Sequence, residues 1–156
     1  MRRYASDPEV MRFLGGAPEG AVDAAAVVER WLARWEANGF GQLVVVRRED
    51  GCFLGRSGLL VWDRSTWEQS TIRDAAEPEV ELGWTFLREH WGNGYATEAA
   101  SAARDWAWKT VGVDRLISLV DLENVRSIRV AERLGAAKTE TVTLKGRPTG
   151  VWVHPR

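Results

Sequence analysis

Residues 90–100, HWGNGYATEAA, place two glycines before an alanine-rich run, and this stretch limits the possible folds more than any other part of the sequence. The run before it, EVELGWTFL at 79–87, predicts a β-strand, and the run at 97–112 predicts a helix of roughly four turns. A strand that enters a glycine loop and then a helix leaves several backbone N–H groups unpaired, where the helix dipole adds positive charge. Because Gly92 and Gly94 let a ligand approach the main chain closely, the stretch predicts a phosphate-binding loop. A plain tight turn into a surface helix is the alternative interpretation.

Two common phosphate loops do not fit this stretch. A P-loop needs Lys followed by Ser or Thr after its last glycine, whereas Gly94 is followed by Tyr95, Ala96 and Thr97. A dinucleotide-binding fingerprint needs a third small residue and an acidic residue at the end of the next strand. Thr97 occupies the first of these positions, and Asp121 lies too far along the chain. The sequence therefore argues against both nucleotide-binding classes.

The remaining sequence predicts one mixed α/β (α+β) domain over residues 1–156, since no repeat or linker interrupts it. An Asp50-Gly51 turn signal joins two apolar runs into a hairpin, residues 63–78 are expected to form a loop, and Gly83 suggests a bulge or a close backbone approach. Helices are predicted at 6–16, 22–38, 97–112 and 124–135, and strands at 41–48, 52–62, 79–87, 115–122, 138–144 and 149–155.

Composition excludes several classes of partner. The chain has 21 Lys and Arg against 22 Asp and Glu, so it lacks the one-signed charge of a nucleic-acid binder. No stretch approaches the roughly 18 apolar residues of a membrane span. The lone Cys52 cannot form an internal disulfide, and the first ten residues lack an apolar signal run, so a cytoplasmic location is expected.

Two segments together carry a resemblance to a known family. VELGWTFLREHWGNGYATEAA, followed by RLISLVDLENVRSIRVAERLGA, resembles the core of the GNAT superfamily of N-acetyltransferases, most closely its RimJ/RimL-like branch. The resemblance extends from about Asp7 to the C-terminus. It implies a mixed, mostly antiparallel sheet that is splayed between two strands, with helices on both faces and acetyl-CoA in the gap. The family's first strand and helix are expected to be shortened or missing, because little sequence precedes Tyr4.

The resemblance also implies where the cofactor would bind. Backbone groups of Thr85, Phe86 and Leu87 would hydrogen-bond the pantetheine arm, and Asn124 would hold it from the opposite side, although Asn124 is also a good helix cap. Glu89 replaces the Gln or Arg that often stands three residues before the first loop glycine, so the loop amides gain importance. The diphosphate contacts implied are the amides of Trp91, Gly92, Asn93, Gly94, Tyr95 and Ala96.

Acetyl transfer to an amine needs a base, because an ammonium group has no lone pair. Glu81 matches the glutamate that related enzymes use, and it would act directly or through a water; Glu79 and Asp63 are weaker candidates. The departing thiolate needs a proton or a hydrogen bond. Ala131 stands where many relatives have a tyrosine acid, so Ser127, which shares a helix face with Asn124, is the expected donor.

The sequence thus predicts an acyl-CoA-dependent N-acetyltransferase that uses acetyl-CoA, needs no metal, and acts on a protein N-terminal amine or a small-molecule amine. The alternative is a catalytically silent acyl-CoA-binding module. The acceptor is expected to meet residues 22–38, the loop at 63–78 and the last hairpin, and a homodimer is plausible from the family. An arginine stripe on the last helix is expected to be mainly a solvated face, the alternative being that one member reaches the 3′-phosphate or adenine end of the cofactor: Arg126, Arg129 and Arg133.

Overall fold

A computed structural model describes residues 7–14 and 24–156 of the chain. Asp7 caps the first helix by accepting a hydrogen bond from the Glu9 amide at 2.9 Å. A 3₁₀ turn, Arg88–His90, precedes the glycine loop, and a π-helical turn, Ala107–Val111, extends the alanine-rich helix to Gly112. The α-helices are α1 (Pro8–Met11), α2 (Ala24–Asn38), α3 (Tyr95–Trp106) and α4 (Val125–Arg133).

The described strands form a seven-stranded sheet. All neighbouring pairs are antiparallel except β4 and β5, which run parallel. The order across the sheet is β1-β2-β4-β5-β7-β6, with β3 paired to β2. The strands are β1 (Gln42–Val46), β2 (Phe53–Asp63), β3 (Glu68–Ser70), β4 (Pro78–Phe86), β5 (Ile117–Asp121), β6 (Ala137–Leu144) and β7 (Arg147–Val153).

This architecture confirms the predicted mixed, mostly antiparallel sheet with helices. One element was not expected: the segment 63–78 contains the short strand β3, which pairs with the end of β2. Glu68, Gln69 and Ser70 have no apolar alternation, so only the neighbouring β2 edge determines their extended conformation. The predicted shortening of the N-terminal strand and helix concerns residues that lie outside those described.

The splay in the sheet lies between β4 and β5. Glu81 and Ile117 are the single residue pair that joins these strands. The pairing of β2 with β4 runs without a register shift from Pro78 to Phe86, so the bulge suggested at Gly83 is absent from it. A Cβ atom at Gly83 would also meet only a side-chain oxygen of Glu81, at 3.8 Å, so no backbone approaches closely there. The splay therefore exists because β4 pairs with β5 at only one residue and then has no partner on that side among the described strands.

Helices α3 and α4 hold one face of this split sheet. Small residues of α3 and the turn after it, such as Ala100 and Ala103, pack against Leu59 and Leu82 of the β2–β4 half. A second cluster under α4 joins Ala131 and Trp152 of the β5–β7 half. The two clusters are linked, because Trp84 packs against both and the first also contains Val130 and Leu134 of the α4 segment. No helix in the described ranges is long and apolar enough to cross a membrane.

Candidate active site

The glycine loop sits at the end of β4 and begins α3. Gly92 and Gly94 have φ angles of 80° and 83°, a left-handed conformation that glycine adopts without strain. The Asn93 side chain donates to the carbonyls of His90, at 3.2 Å, and Trp91, at 3.1 Å, and so holds the loop together. Within residues 7–14 and 24–156, the amides of Gly92, Asn93 and Gly94 have no hydrogen-bond acceptor. The loop therefore offers a group of free N–H donors at a helix N-terminus.

Trp91 has a structural role in the loop that differs from the predicted diphosphate contact. Its amide donates to the carbonyl of Arg88 at 3.1 Å, so that N–H is not available to a diphosphate, and the predicted contact is wrong for this group. Its indole Nε1 donates to the carbonyl of Phe86 at 2.9 Å. Trp91 thus ties the loop to the end of β4. The free donors begin at Gly92.

The edge of β4 that faces the splay also differs from expectation. Antiparallel pairs alternate between bonded and non-bonded positions, and the Leu87 amide donates to Leu54 of β2 at 2.9 Å. Thr85, opposite Arg56, is therefore bonded to β2 as well. The backbone N–H groups of Thr85 and Leu87 are used in bonds to β2 and are not available for the predicted pantetheine contacts. The N–H groups of Phe86 and of Trp84, a residue not predicted, face the gap.

A cavity of about 800 Å³ fills the splay and reaches the glycine loop. Its walls come from both halves of the sheet and from the first turns of α3 and α4. The cavity brings together most of the predicted site residues, but Leu87 and Asn93 do not line it. Those that line it are Glu81, Thr85, Phe86, Trp91, Gly92, Gly94, Tyr95, Ala96, Asn124 and Ser127.

Glu81 lies at the inner end of this cavity. The residue is only 8% exposed, and its carboxylate accepts a hydrogen bond from Trp62 Nε1. Burial raises the pKa of Glu81 above its ordinary value, although the Trp62 bond and the charges of Arg56 and Lys145 oppose the rise. A carboxylate with a raised pKa that opens on a cavity is suited to accept a proton near neutral pH.

The two weaker base candidates do not line the cavity. Asp63 accepts hydrogen bonds from the Ser65 hydroxyl at 2.6 Å and the Ala76 amide at 2.7 Å, and these bonds lower the pKa of Asp63 to about 2. Glu79 forms an ion pair with Arg115, at 2.9 Å. Both carboxylates therefore stabilise loops and strand ends, which leaves Glu81 as the candidate base.

Asn124 and Ser127 lie on the opposite wall, at the start of α4. The Asn124 side-chain oxygen accepts from the Ser127 amide at 3.2 Å, so Asn124 does cap the helix. Capping uses only that oxygen, and its NH₂ group remains a possible donor to a ligand. Ala131, seven residues after Asn124, is fully buried in the cluster under α4 and does not line the cavity.

Two residues that line the cavity were not among the predicted site residues. Asp121 at the end of β5 lines the cavity, is buried, and forms an ion pair with Arg147 of β7, which also contacts Glu123 at 2.9 Å. Thr97, in the first turn of α3, lines the cavity, and its buried hydroxyl has no hydrogen-bond partner in the part of the chain that the structure describes. Position at a strand end or in a first helical turn was the only available sequence signal for either residue.

Two of the three segments expected to meet the acceptor contribute to the cavity. Gln69 of β3 and Lys145 of the last hairpin line it. No described residue of α2 lines the cavity. Within the described ranges, no three His, Cys, Asp or Glu side chains are grouped as metal ligands.

Comparison with known proteins shows which protein family this chain resembles. The sequence model of the family described as "Acetyltransferase (GNAT) domain" matches residues 1–137 of this chain. YkkB of Bacillus subtilis (strain 168) is 31% identical over 148 residues, covering 94% of this chain and 79% of YkkB. The uncharacterized N-acetyltransferase YnaD of the same organism is 28% identical over 135 residues, covering 85% of this chain and 68% of YnaD.

The fold has a counterpart among solved structures. The acetyltransferase from Agrobacterium tumefaciens str. C58 superposes with a TM-score of 0.74 at 30% sequence identity. The match covers 99% of this chain and 82% of that protein. The two proteins therefore share their overall fold.

Proposed function

The chain belongs to the acetyltransferase (GNAT) family and is an N-acetyltransferase, and we propose that it transfers acetyl from acetyl-CoA to a primary amine in a ternary complex. The observation that carries this proposal is the position of Glu81. Its buried carboxylate opens on the same cavity as the free amides of Gly92 and Gly94, so one space offers both a base and an anion site.

The residues present fit acetyl-CoA. The free amides at Gly92–Gly94 are donors suited to its diphosphate. Phe86 and Trp84 N–H groups on one wall and the Asn124 NH₂ group on the other are suited to its pantetheine arm. When bound, acetyl-CoA supplies the acetyl group as an activated thioester.

Each catalytic role is assigned to a residue of this chain. Glu81 accepts the proton of the acceptor ammonium, directly or through a water, so that the amine can attack. The N–H group of Phe86 or Trp84 donates to the acyl oxygen as negative charge develops on it. The Ser127 hydroxyl donates to the departing sulfur. Cys52 does not line the cavity, which favours direct transfer over an acyl-enzyme.

The finer features predicted from the sequence belong to the same proposal. We assign the chain to the RimJ/RimL-like branch and expect a protein N-terminal amine or a small-molecule amine as acceptor. We also propose a single domain over residues 1–156, a homodimer in solution and a cytoplasmic location. Size-exclusion chromatography with light scattering tests the dimer separately from the chemistry.

Thiol release from acetyl-CoA with a panel of primary amines tests the activity. Both substrates are varied, because a ternary complex gives intersecting double-reciprocal lines and a covalent acyl-enzyme gives parallel ones. Glu81→Gln should lower kcat by about 10²-fold or more and remove the acidic limb of the pH profile, while CoA binding persists. Glu77→Gln, an exposed change outside the cavity, is the matched control. Full activity of Glu81→Gln with an unchanged pH profile would remove Glu81 as the base.

A further inference from the structure

Arg126 of α4 and Trp91 of the glycine loop meet across the cavity. The guanidinium carbon of Arg126 lies 4.5 Å from the centroid of the Trp91 ring, within the distance of a cation–π contact. Both residues line the cavity, one from each half of the molecule. The Trp91 ring is itself held by the bond from its Nε1 to the Phe86 carbonyl. Arg126 therefore rests on a fixed surface beside the free loop amides.

The position of Arg126 is unfavourable for the helix alone. It is the second residue of α4, where the partial positive charge of the helix dipole disfavours a cation. The first turn of α4 contains no acidic residue to compensate. Among the described residues, no carboxylate lies within ion-pair distance of Arg126. An anion in the cavity would relieve both effects.

The loop itself does not supply a cation for such an anion. Glu89 occupies the position three residues before Gly92 and is exposed. Arg88 is also exposed and does not line the cavity. The free amides of the loop therefore lack a nearby positive side chain from their own segment. Arg126, from the opposite wall, is a cation that both lines the cavity and contacts a loop residue, whereas Arg47, which contacts Tyr95, does not line the cavity.

We propose that Arg126, stacked on Trp91, is the cation that binds the diphosphate of acetyl-CoA, so that the two walls of the cleft share this group. The inference rests on the proposed function. A guanidinium that stacks through its face keeps its N–H donors at the edge, where they can hydrogen-bond phosphate oxygens. Arg129 and Arg133 lie on the same helix stripe and also line the cavity, but they are further from the first turn of α4, and it is Arg126 that stacks on the loop.

Calorimetric dissociation constants for three ligands test this assignment. CoA carries the diphosphate and the 3′-phosphate, dephospho-CoA carries the diphosphate alone, and pantetheine carries neither. For Arg126→Gln we expect Kd to rise by about ten-fold or more with CoA and dephospho-CoA equally, and to stay unchanged with pantetheine. Arg126→Lys keeps the charge without the planar stack and should fall between wild type and Arg126→Gln.

Arg88→Gln is the matched control, because it removes the same charge beside the loop from outside the cavity. It should leave all three constants unchanged. Raising the salt concentration should reduce the difference between wild type and Arg126→Gln, because the lost interaction is partly exposed. A loss confined to CoA would overturn the assignment in favour of the 3′-phosphate, and equal binding by wild type and Arg126→Gln would overturn it altogether. If wild type bound none of these ligands, the proposed function itself would fail.

Discussion

The hydroxyl of Ser118 on β5 donates to the carbonyl of Leu82 on β4 at 2.6 Å, one residue beyond the last backbone pair of these two strands. A carbonyl only accepts, so this bond uses the Ser118 proton. His154 Nε2, 2.8 Å from the same oxygen, must then be the donor to it. Ser118 is 1% and His154 4% exposed. A side-chain bridge thus joins the strands where their ladder ends.

Ser118→Ala should destabilise the protein and weaken CoA binding. The change leaves the Leu82 carbonyl and the His154 N–H buried without partners, at a cost of about 1 to 3 kcal/mol in the free energy of unfolding. Because the bridge holds the inner end of the splay, we also expect Kd for CoA to rise several-fold. Urea unfolding and calorimetry measure the two effects.

Ser57→Ala provides the control for this bridge. Its hydroxyl donates to the Gly83 carbonyl at 3.0 Å from the β2 side, where β4 keeps its full pairing. It should lower stability by about 1 kcal/mol without changing CoA affinity. Equal effects of the two serine changes on Kd would show that Ser118 does not position the cleft.

His154 should make the fold sensitive to mild acid. Burial, with the charge of Arg104, lowers the pKa of His154 from 6.5 to about 4. As pH falls from 6.5 towards 4, His154 binds a proton in the unfolded chain but stays neutral in the folded one. The free energy of unfolding therefore decreases over this window, by about 3 kcal/mol. His154→Gln keeps a donor to Ser118 and should remove this part of the pH dependence. A constant difference between wild type and variant from pH 7 to 4.5 in urea unfolding would contradict this account.

Glu81→Gln should stabilise the protein at neutral pH while it lowers activity. Below about pH 4.5 the Glu81 carboxyl is neutral in both states. Above that pH the unfolded chain ionises freely, but the folded chain must charge a buried group, so wild-type stability falls as pH rises through the raised pKa. Glutamine has no such cost. The expected gain appears at pH 7 and is absent at pH 4; a loss of stability at pH 7 would show that the Trp62 bond outweighs burial.

Gly94→Ala should cost CoA affinity beyond its effect on stability. A left-handed φ of 83° disfavours alanine by about 1 kcal/mol. Gly112, with φ of 76°, ends the same helical segment outside the cavity, and no atom lies within 4 Å of a Cβ at either glycine. Gly112→Ala should therefore match the stability loss but not the affinity loss. Equal Kd values of the two variants for CoA would show that the loop is not part of the binding site.

The sequence was sufficient for the main elements because they carry local signals. Asp50-Gly51 marks the hairpin, and Asn124 and Gly135 mark the ends of α4, where the structure has a side-chain cap and a φ of 79°. The position of Glu81 at the edge of the splay followed from the family pattern. These features depend on residues close together in the chain.

Other features depend on pairing between distant segments, which a single sequence does not encode visibly. Which amides of β4 face the gap is determined by its register with β2, so the sequence alone does not show that Trp84 faces the gap while Thr85 and Leu87 bond to β2. The bridge from Ser118 to His154 joins residues 36 positions apart. The Arg126–Trp91 contact likewise requires both walls of the cleft.

Amide-resolved NMR of the ¹⁵N-labelled protein, titrated with CoA, tests the central claim that the loop and the splayed strands hold acetyl-CoA together. The largest shifts should fall on the amides of Gly92–Ala96, Trp84 and Phe86, with slowed hydrogen exchange at the same groups. Saturable shifts confined to other surfaces, such as α2 or the edge strand β1, would contradict the account, as would a spectrum that CoA leaves unchanged.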